Sequence, residues 1–243
     1  FNSFIGIDFN KLISLKNIPR YIFDIIEWKK QSGKINFLFP IINEFNDQSG
    51  TAKGHYFHQD LLIAQYIYTN NPKKHIDVGS RVDGFVAHVA SFRKIEIFDV
   101  RELKSDHPNI IFKQHDFMNK NNVKQTDSVS CLHTLEHFGL GRYNDPINVK
   151  GFEIGLENLI NLVEKNGLLY ISFPVGKQDE IHFNAHRVFH PKSILNFEIV
   201  KKQLELINFD CVDDNGDLHK SVSIEFASLK YKFGCGIYTF RKL

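Results

Sequence analysis

The run Lys73 to Gly84, KKHIDVGSRVDG, constrains the fold more than any other part of the chain. Ile76 and Val78 favour a buried strand, Asp77 sits near its end, and Gly79 and Gly84 flank a tight turn. A second strand-like run, Ile95-Glu96-Ile97-Phe98, ends in Asp99, twenty residues after Gly79. A glycine turn lets the backbone approach a ligand, and an acid at the tip of the next strand meets ribose hydroxyls. The pattern predicts a nucleotide-type site for an adenosine-containing cofactor.

From Lys74 onward, short strand candidates alternate with helical ones, as a parallel sheet of βαβ units requires. Strands are expected at Lys74–Val78, Lys94–Asp99, Asn109–His115, Ser128–His133 and Leu168–Phe173. Helices are expected at 84–92, 151–165 and 192–206, the second stopped by Asn166-Gly167 acting as a left-handed cap. Beyond Leu206 the pattern changes to Phe209–Asp213, Ser221–Phe226 and Cys235–Arg241, which reads as hairpin-like pairing at the end of the sheet. Upstream, Ile22, Ile25, Ile26 and Trp28 recur at helical spacing, and Asp60–Tyr68 reads as a short helix. The expected domains are a helical N-terminal cap over 1–72 and a cofactor-binding α/β domain over 73–243.

Composition narrows the partners. A net charge of +2, with basic residues only in pairs such as Lys73-Lys74, gives no polyelectrolyte footprint, so nucleic acid is not expected. No apolar run reaches the ~20 residues of a membrane span. Three cysteines, Cys131, Cys211 and Cys235, stand at long spacings without a CxxC pair. Neither a disulfide framework nor a thiolate zinc site is read from them, and a reducing, cytoplasmic setting is expected.

The stretches HYFHQD (55–60), HIDVGSRVDGFVAH (75–88), DVR (99–101), SCLHTLEHFGLGRYND (130–145) and FNAHRVF (183–189) together resemble class I S-adenosylmethionine-dependent methyltransferases. In detail they are similar to an uncharacterised bacterial family with that fold. The resemblance implies a Rossmann-like, mostly parallel seven-stranded sheet with an antiparallel C-terminal strand. It also implies S-adenosyl-L-methionine as cofactor, held by Asp77, Gly79, Ser80, Arg81 and Gly84 around the first turn. Asp99, Val100 and Arg101 would meet the ribose, Asp116 and Phe117 the adenine, and His133 would line the cofactor. One departure stands out: where the usual loop repeats glycine, this chain has Arg81 and Asp83.

The densest chemistry follows the fourth strand, at His133-Thr134-Leu135-Glu136-His137. Methyl transfer asks the protein to hold the acceptor in line and to receive its proton. His137 backed by Glu136 is the first choice for base, with His133 beside them. HTLEH also fits the H-x-x-E-H pattern of inverted zinc proteases, but His133 at a strand end spoils the helical geometry such a site needs. A divalent ion on His133, Glu136 and His137 is the remaining metal reading, and none is adopted. His58, Arg142, Tyr143, Asn184, His186 and Arg187 are the acceptor-reading candidates, because imidazole, amide and guanidinium groups bridge hydroxyls or phosphate. His182, His186 and His190 share a four-residue spacing, which Pro191 makes unsuitable for a helical metal face.

The expected activity is O-methylation of a small polar or saccharide acceptor, with cell-surface glycan synthesis as one setting and a homodimer left open. Two rivals remain. A nicotinamide-dependent sugar dehydrogenase or epimerase would share the strand, turn and acid but lacks G-x-G-x-x-G. A catalytically silent subunit of the same fold would account for the off-pattern Arg81.

Overall fold

A computed structural model describes residues 13–119, 123–228 and 231–243, and its contacts divide the chain into a unit ending at Thr51 and a unit from Ala52 to Leu243. In the first unit a 3₁₀ turn, Ser14–Asn17, leads into α1 (Ile18–Lys30). Pro19 lies in the first turn of α1, where a missing N–H costs no helical bond. The Asn17 amide donates to the Ile42 carbonyl at 2.7 Å, and the Arg20 guanidinium lies 4.4 Å from the centre of the Phe45 ring. The part of the expected cap at residues 1–12 lies outside the described residues.

The second unit opens with α2 (His55–Asn70), longer than the helix expected from Asp60. Leu62, Ile63, Ala64 and Ile67 bury one face of α2 against Phe85, Val89, Ile95 and Ile97, so α2 packs with the sheet. The boundary expected at residue 72 therefore moves to Thr51.

The sheet contains β1 (His75–Val78), β2 (Ile95–Asp99), β3 (Ile110–Gln114), β4 (Thr126–Leu132), β5 (Val163–Val175), β8 (Leu204–Val212), β9 (Leu218–His219) and β10 (Gly234–Lys242). Their order is β3-β2-β1-β4-β5-β10-β8-β9. β1 to β5 run parallel, while β10 is antiparallel to both β5 and β8. The extra strand over the seven expected is the two-residue β9 at the edge. A separate two-stranded hairpin, β6 (Glu180–His182) and β7 (His186–Val188), follows β5.

Strand alternation fills two layers. Ile76 and Val78 of β1, with Val129 and Cys131 of β4, face α4 (Gly151–Leu162) through Leu156, Leu159 and Ile160. Ile95, Ile97 and Leu132 face α2 on the other side.

Four expectations change. The helix expected over 84–92 is a π-type turn, Val82–Val86, running into the short α3 (Ala87–Ala90). α4 stops at Leu162 because Val163 pairs with Thr126; Asn166 then turns at φ 64° and the ladder resumes at Leu168. The helix expected over 192–206 breaks at extended Phe197 into a 3₁₀ turn and α5 (Glu198–Gln203), after which Leu204 is drawn into pairing with Lys242. Ser221–Phe226 is not a strand: Ile224 and Ala227, three apart, are buried on one side of α6 (Ile224–Ser228).

Candidate active site

The carboxyl ends of β1 to β4 converge on one cavity of about 280 Å³. Ligands collect at this end of an open α/β sheet because the loops diverge there and leave backbone groups free. Gly79, Arg81, Asp99, Val100, Arg101, Asp116, Phe117, His133, His137, Arg142 and Tyr143 all line it. Tyr56, Phe98, His115, Thr134 and Met118 also line it, and motif reading had given them no role at the cofactor position.

Gly79 has φ 75°, and its N–H donates to the Phe98 carbonyl at 2.8 Å. A Cβ there would lie 2.2 Å from Thr134 Cγ2, so both dihedral and space require glycine. Gly84 serves a different end: its missing Cβ leaves room for the Asp60 carboxylate, 2.5 Å from where that Cβ would stand. Asp60 is inside α2, and burial pushes its carboxyl up to about 6, against the opposing hydrogen bond from Gln59. Arg81 and Asp83, the off-pattern pair, bind each other through two contacts of 3.2 Å.

Asp77, Ser80 and Gly84 do not line this cavity. Asp77 is fully buried; it accepts from the Ser80 hydroxyl at 2.7 Å and from the Ser130 hydroxyl at 2.5 Å. Because Ser130 spends its proton on Asp77, His75 Nε2–H donates to Ser130 at 3.0 Å, and the Ser128 hydroxyl donates to His75 Nδ1 at 2.7 Å. Ser80 Oγ in turn accepts from the Leu132 N–H at 3.1 Å. This relay under the turn locks β1 to β4. Burial raises Asp77 to about 6 and lowers His75 to about 3.

At the tip of β2, Asp99 is occupied. Its Oδ1 accepts from Arg101 N–H and Nε–H at 2.8 and 2.9 Å, and its Oδ2 from Nη2 at 2.6 Å. The same guanidinium stacks 4.4 Å from the centre of the Tyr143 ring. Asp116 accepts from Met118 N–H at 2.8 Å and from the Asn119 amide at 3.1 Å, shaping the loop after β3. Phe117 is buried against Phe98 and His115.

The HTLEH loop differs from expectation in its pairing. His133 follows β4 in a left-handed conformation, φ 47°, and Leu135–His137 is a single 3₁₀ turn, so no helical face carries both histidines. Glu136, 1% exposed, pairs with His133 Nδ1 at 2.9 Å and stands 3.7 Å from His137 Nε2. Glu136 thus backs His133 more closely than His137. Burial alone would lower His133, but the Cys235 sulfur and Glu136 beside it outweigh that and hold it above the usual histidine range. His137 Nδ1–H donates to the Ala185 carbonyl at 2.7 Å, leaving Nε2 as the acceptor nitrogen. Burial, helped by Arg142, lowers His137, with Glu136 opposing, which keeps the imidazole neutral and able to accept a proton.

The acceptor candidates separate. Arg142 and Tyr143 line the cavity, Arg142 also donating to the Ala185 carbonyl at 2.8 Å. Arg187 is a brace: buried, it donates to the carbonyls of Glu136 and Phe138 at 3.1 and 2.7 Å and so holds the HTLEH turn. His186 packs at a tilt against His182 and Phe233, and His58 lies against Phe57. His58, Asn184, His186 and Arg187 are outside the cavity lining. Tyr238 is fully buried on β10 and donates to the Pro191 carbonyl.

A further group is invisible to spacing. His55, His133 and Cys235, from α2, the loop after β4 and the start of β10, bring a ligand atom each within 4.8 Å of one another. Burial, with His133 next to it, pushes His55 down to about 4.

A family profile described as Caenorhabditis protein of unknown function, DUF268, matches residues 88–197. That range takes in DVR, HTLEHFGLGRYND and FNAHRVF, but HYFHQD and most of the first-turn motif precede it; its description names a nematode genus, not bacteria. No curated protein matches the sequence. Among solved structures, the N-methyltransferase NodS from Bradyrhizobium japonicum WM9, in complex with S-adenosyl-L-homocysteine, superposes with TM-score 0.52 at 10% identity over 78% of this chain and 88% of its own. The [4+2]-cyclase SpnF gives TM-score 0.55 at 12% identity, covering 76% and 80%. An O-methyltransferase from a trans-AT PKS multienzyme of Brevibacillus brevis, also with S-adenosyl-L-homocysteine, gives 0.53 at 10% identity, covering 75% and 71%. The chain has the class I methyltransferase fold. No helix among the described residues is long and apolar enough to cross a membrane.

Proposed function

We propose that the protein is an S-adenosylmethionine-dependent methyltransferase acting on a hydroxyl of a small polar or saccharide acceptor. The observation that carries this reading is the convergence of Gly79, Asp99, Asp116-Phe117 and the HTLEH turn on one cavity at the strand tips. The lining suits the cofactor: Val78, Phe98 and Phe117 offer apolar surface to a base, and Asp99 offers a carboxylate to a ribose diol. When bound, the cofactor supplies an electrophilic methyl group on a sulfonium. His137 is the group placed to take the acceptor proton at Nε2, its ring held by the Ala185 carbonyl. Tyr143 and Arg142 give the acceptor hydrogen-bonding and stacking partners beside it. A fold shared with N-methyltransferases, O-methyltransferases and a cyclase leaves the acceptor atom to the side chains, and a neutral histidine favours oxygen, whose proton must be removed.

Calorimetric titration with S-adenosylhomocysteine tests the first half: saturable binding is expected, weakened in Asp99→Ala. Binding of a nicotinamide dinucleotide with no response to S-adenosylhomocysteine would end the reading. A second reading, a catalytically silent subunit, is favoured by the Asp99–Arg101 pair, which engages both carboxylate oxygens. Under it, no methyl label passes from the cofactor to any small-molecule extract.

A further inference from the structure

We propose that His55, His133 and Cys235 form a binding site for a divalent transition-metal ion, with zinc the best chemical match. Their ligand atoms, two imidazole nitrogens and a sulfur, lie within 4.8 Å of one another. Zinc bonds of about 2.1 to 2.3 Å at tetrahedral angles imply ligand separations of roughly 3.4 to 3.8 Å, so side-chain adjustment alone closes the set. A site of two nitrogens and one sulfur selects against magnesium and calcium, which take oxygen ligands.

Two observations point to a cation rather than to packing. His133 Nε2 is buried with no nitrogen or oxygen partner among the described residues, in a side chain only 5% exposed, and the Cys235 sulfur stands beside the ring. Its other nitrogen is bound at 2.9 Å by Glu136 Oε1, which holds a proton on Nδ1 and leaves Nε2 as the nitrogen on the side of the Cys235 sulfur. A carboxylate behind a histidine is the arrangement that orients imidazole ligands on metals. Cys235 is wholly buried; beside the His133 imidazole, its sulfur makes long contacts with Gln59 Oε1 and the Gly236 carbonyl, at 3.9 and 3.7 Å.

Charge also balances. On binding, a doubly charged ion displaces to solvent the proton held by the Cys235–His133 pair and then meets one thiolate, the Glu136 carboxylate and two neutral imidazoles. The sum is neutral, which a buried site requires. Three protein ligands leave the fourth tetrahedral position to water or another small donor. The ion joins the start of α2 and the start of β10 to the turn that carries His133 into the cavity wall. This site does not depend on which cofactor the cavity takes, and His137 is not among the three residues whose ligand atoms gather there.

The test is titration of the chelator-stripped full chain with Co²⁺, followed by displacement with Zn²⁺. Stoichiometric uptake is expected, with a sulfur-to-cobalt charge-transfer band in the near ultraviolet and intense visible bands of a four-coordinate ion. Cys235→Ser should lose the charge-transfer band, and His55→Gln should bind more weakly. Glu136→Gln should keep the band while weakening affinity by about 10- to 100-fold. Circular dichroism and S-adenosylhomocysteine binding identify any variant that fails to fold. If the folded wild-type chain takes up neither ion stoichiometrically, or folded Cys235→Ser gives the wild-type spectrum, the proposal is wrong.

Discussion

The two sides of the cavity are built differently. On the side of β1, β2 and β3 the groups at the strand tips close mainly on near neighbours in sequence, Asp77 with Ser80, Arg81 with Asp83, Asp99 with Arg101, Asp116 with Met118 and Asn119, with the Asp77–Ser130 bond as the tie to β4 beneath. On the side of the HTLEH turn they close over long distances: His137 on Ala185, Glu136 and Phe138 carbonyls on Arg187, His133 next to His55 and Cys235. A side assembled from local turns is readable from a motif and tolerates change elsewhere in the chain. A side assembled from remote segments has its chemistry set by how the sheet brings those segments together.

The largest effect expected falls on the remote side. His137→Gln should lower label transfer from S-adenosylmethionine by about 10²- to 10⁴-fold, the usual share of a general base, while S-adenosylhomocysteine affinity stays within a few-fold. Equal loss of both in calorimetry and transfer assays would make His137 a packing residue. On the local side, Asp99→Ala removes an ionic hydrogen-bond acceptor worth about 1.5 to 3 kcal/mol, so calorimetry should show affinity for S-adenosylhomocysteine falling by about 10- to 100-fold. Unchanged affinity would remove the local side from cofactor binding.

The relay below the turn gives a pH test of how β1 is locked. His75, depressed to about 3 in the folded chain against ~6.5 unfolded, lets the unfolded state take up the proton first. It therefore lowers stability as pH falls from 6.5 towards 3, by about 1.4 kcal/mol per unit. Asp77, raised to about 6 against ~3.8 unfolded, does the reverse between 6 and 3.8. In urea unfolding at pH 7, 5 and 4, His75→Gln should gain stability relative to wild type on acidification and Asp77→Asn should lose it. Parallel curves for both variants would show the relay carries no such coupling. The smallest effect is at Arg101→Ala. Half-exposed ion pairs contribute about 0 to 1 kcal/mol, so freeing Asp99 should tighten S-adenosylhomocysteine a few-fold at most. A large loss instead would make Arg101 itself a ligand to the cofactor.

The local side was legible for this reason. Alternating apolar residues in 75–78 and 95–99 bury one face each, and Gly79 and Asp99 carry their role in their own spacing. The remote side was legible only as a list of residue types. His133, Glu136 and His137 were picked out, yet their pairing was misassigned, because the left-handed turn at His133 swings its ring to Glu136. Arg187 looked like a substrate reader and is a brace, since a guanidinium in a motif does not announce whether it faces solvent or two buried carbonyls. The helix misread over 192–206 has the same origin: Leu204 follows the pairing offered by Lys242, a contact no local propensity encodes.

The residues by themselves determined the α/β alternation, the turn after β1 and the acid after β2, because strand burial, glycine dihedrals and a single well-placed carboxylate act over short stretches of chain. Tertiary structure alone decided which imidazole faces Glu136, which arginine supports the loop and that positions 55, 133 and 235 share one point. Those depend on three segments meeting at the end of a twisted sheet, where a shift of a few ångströms separates a ligand set from unrelated side chains.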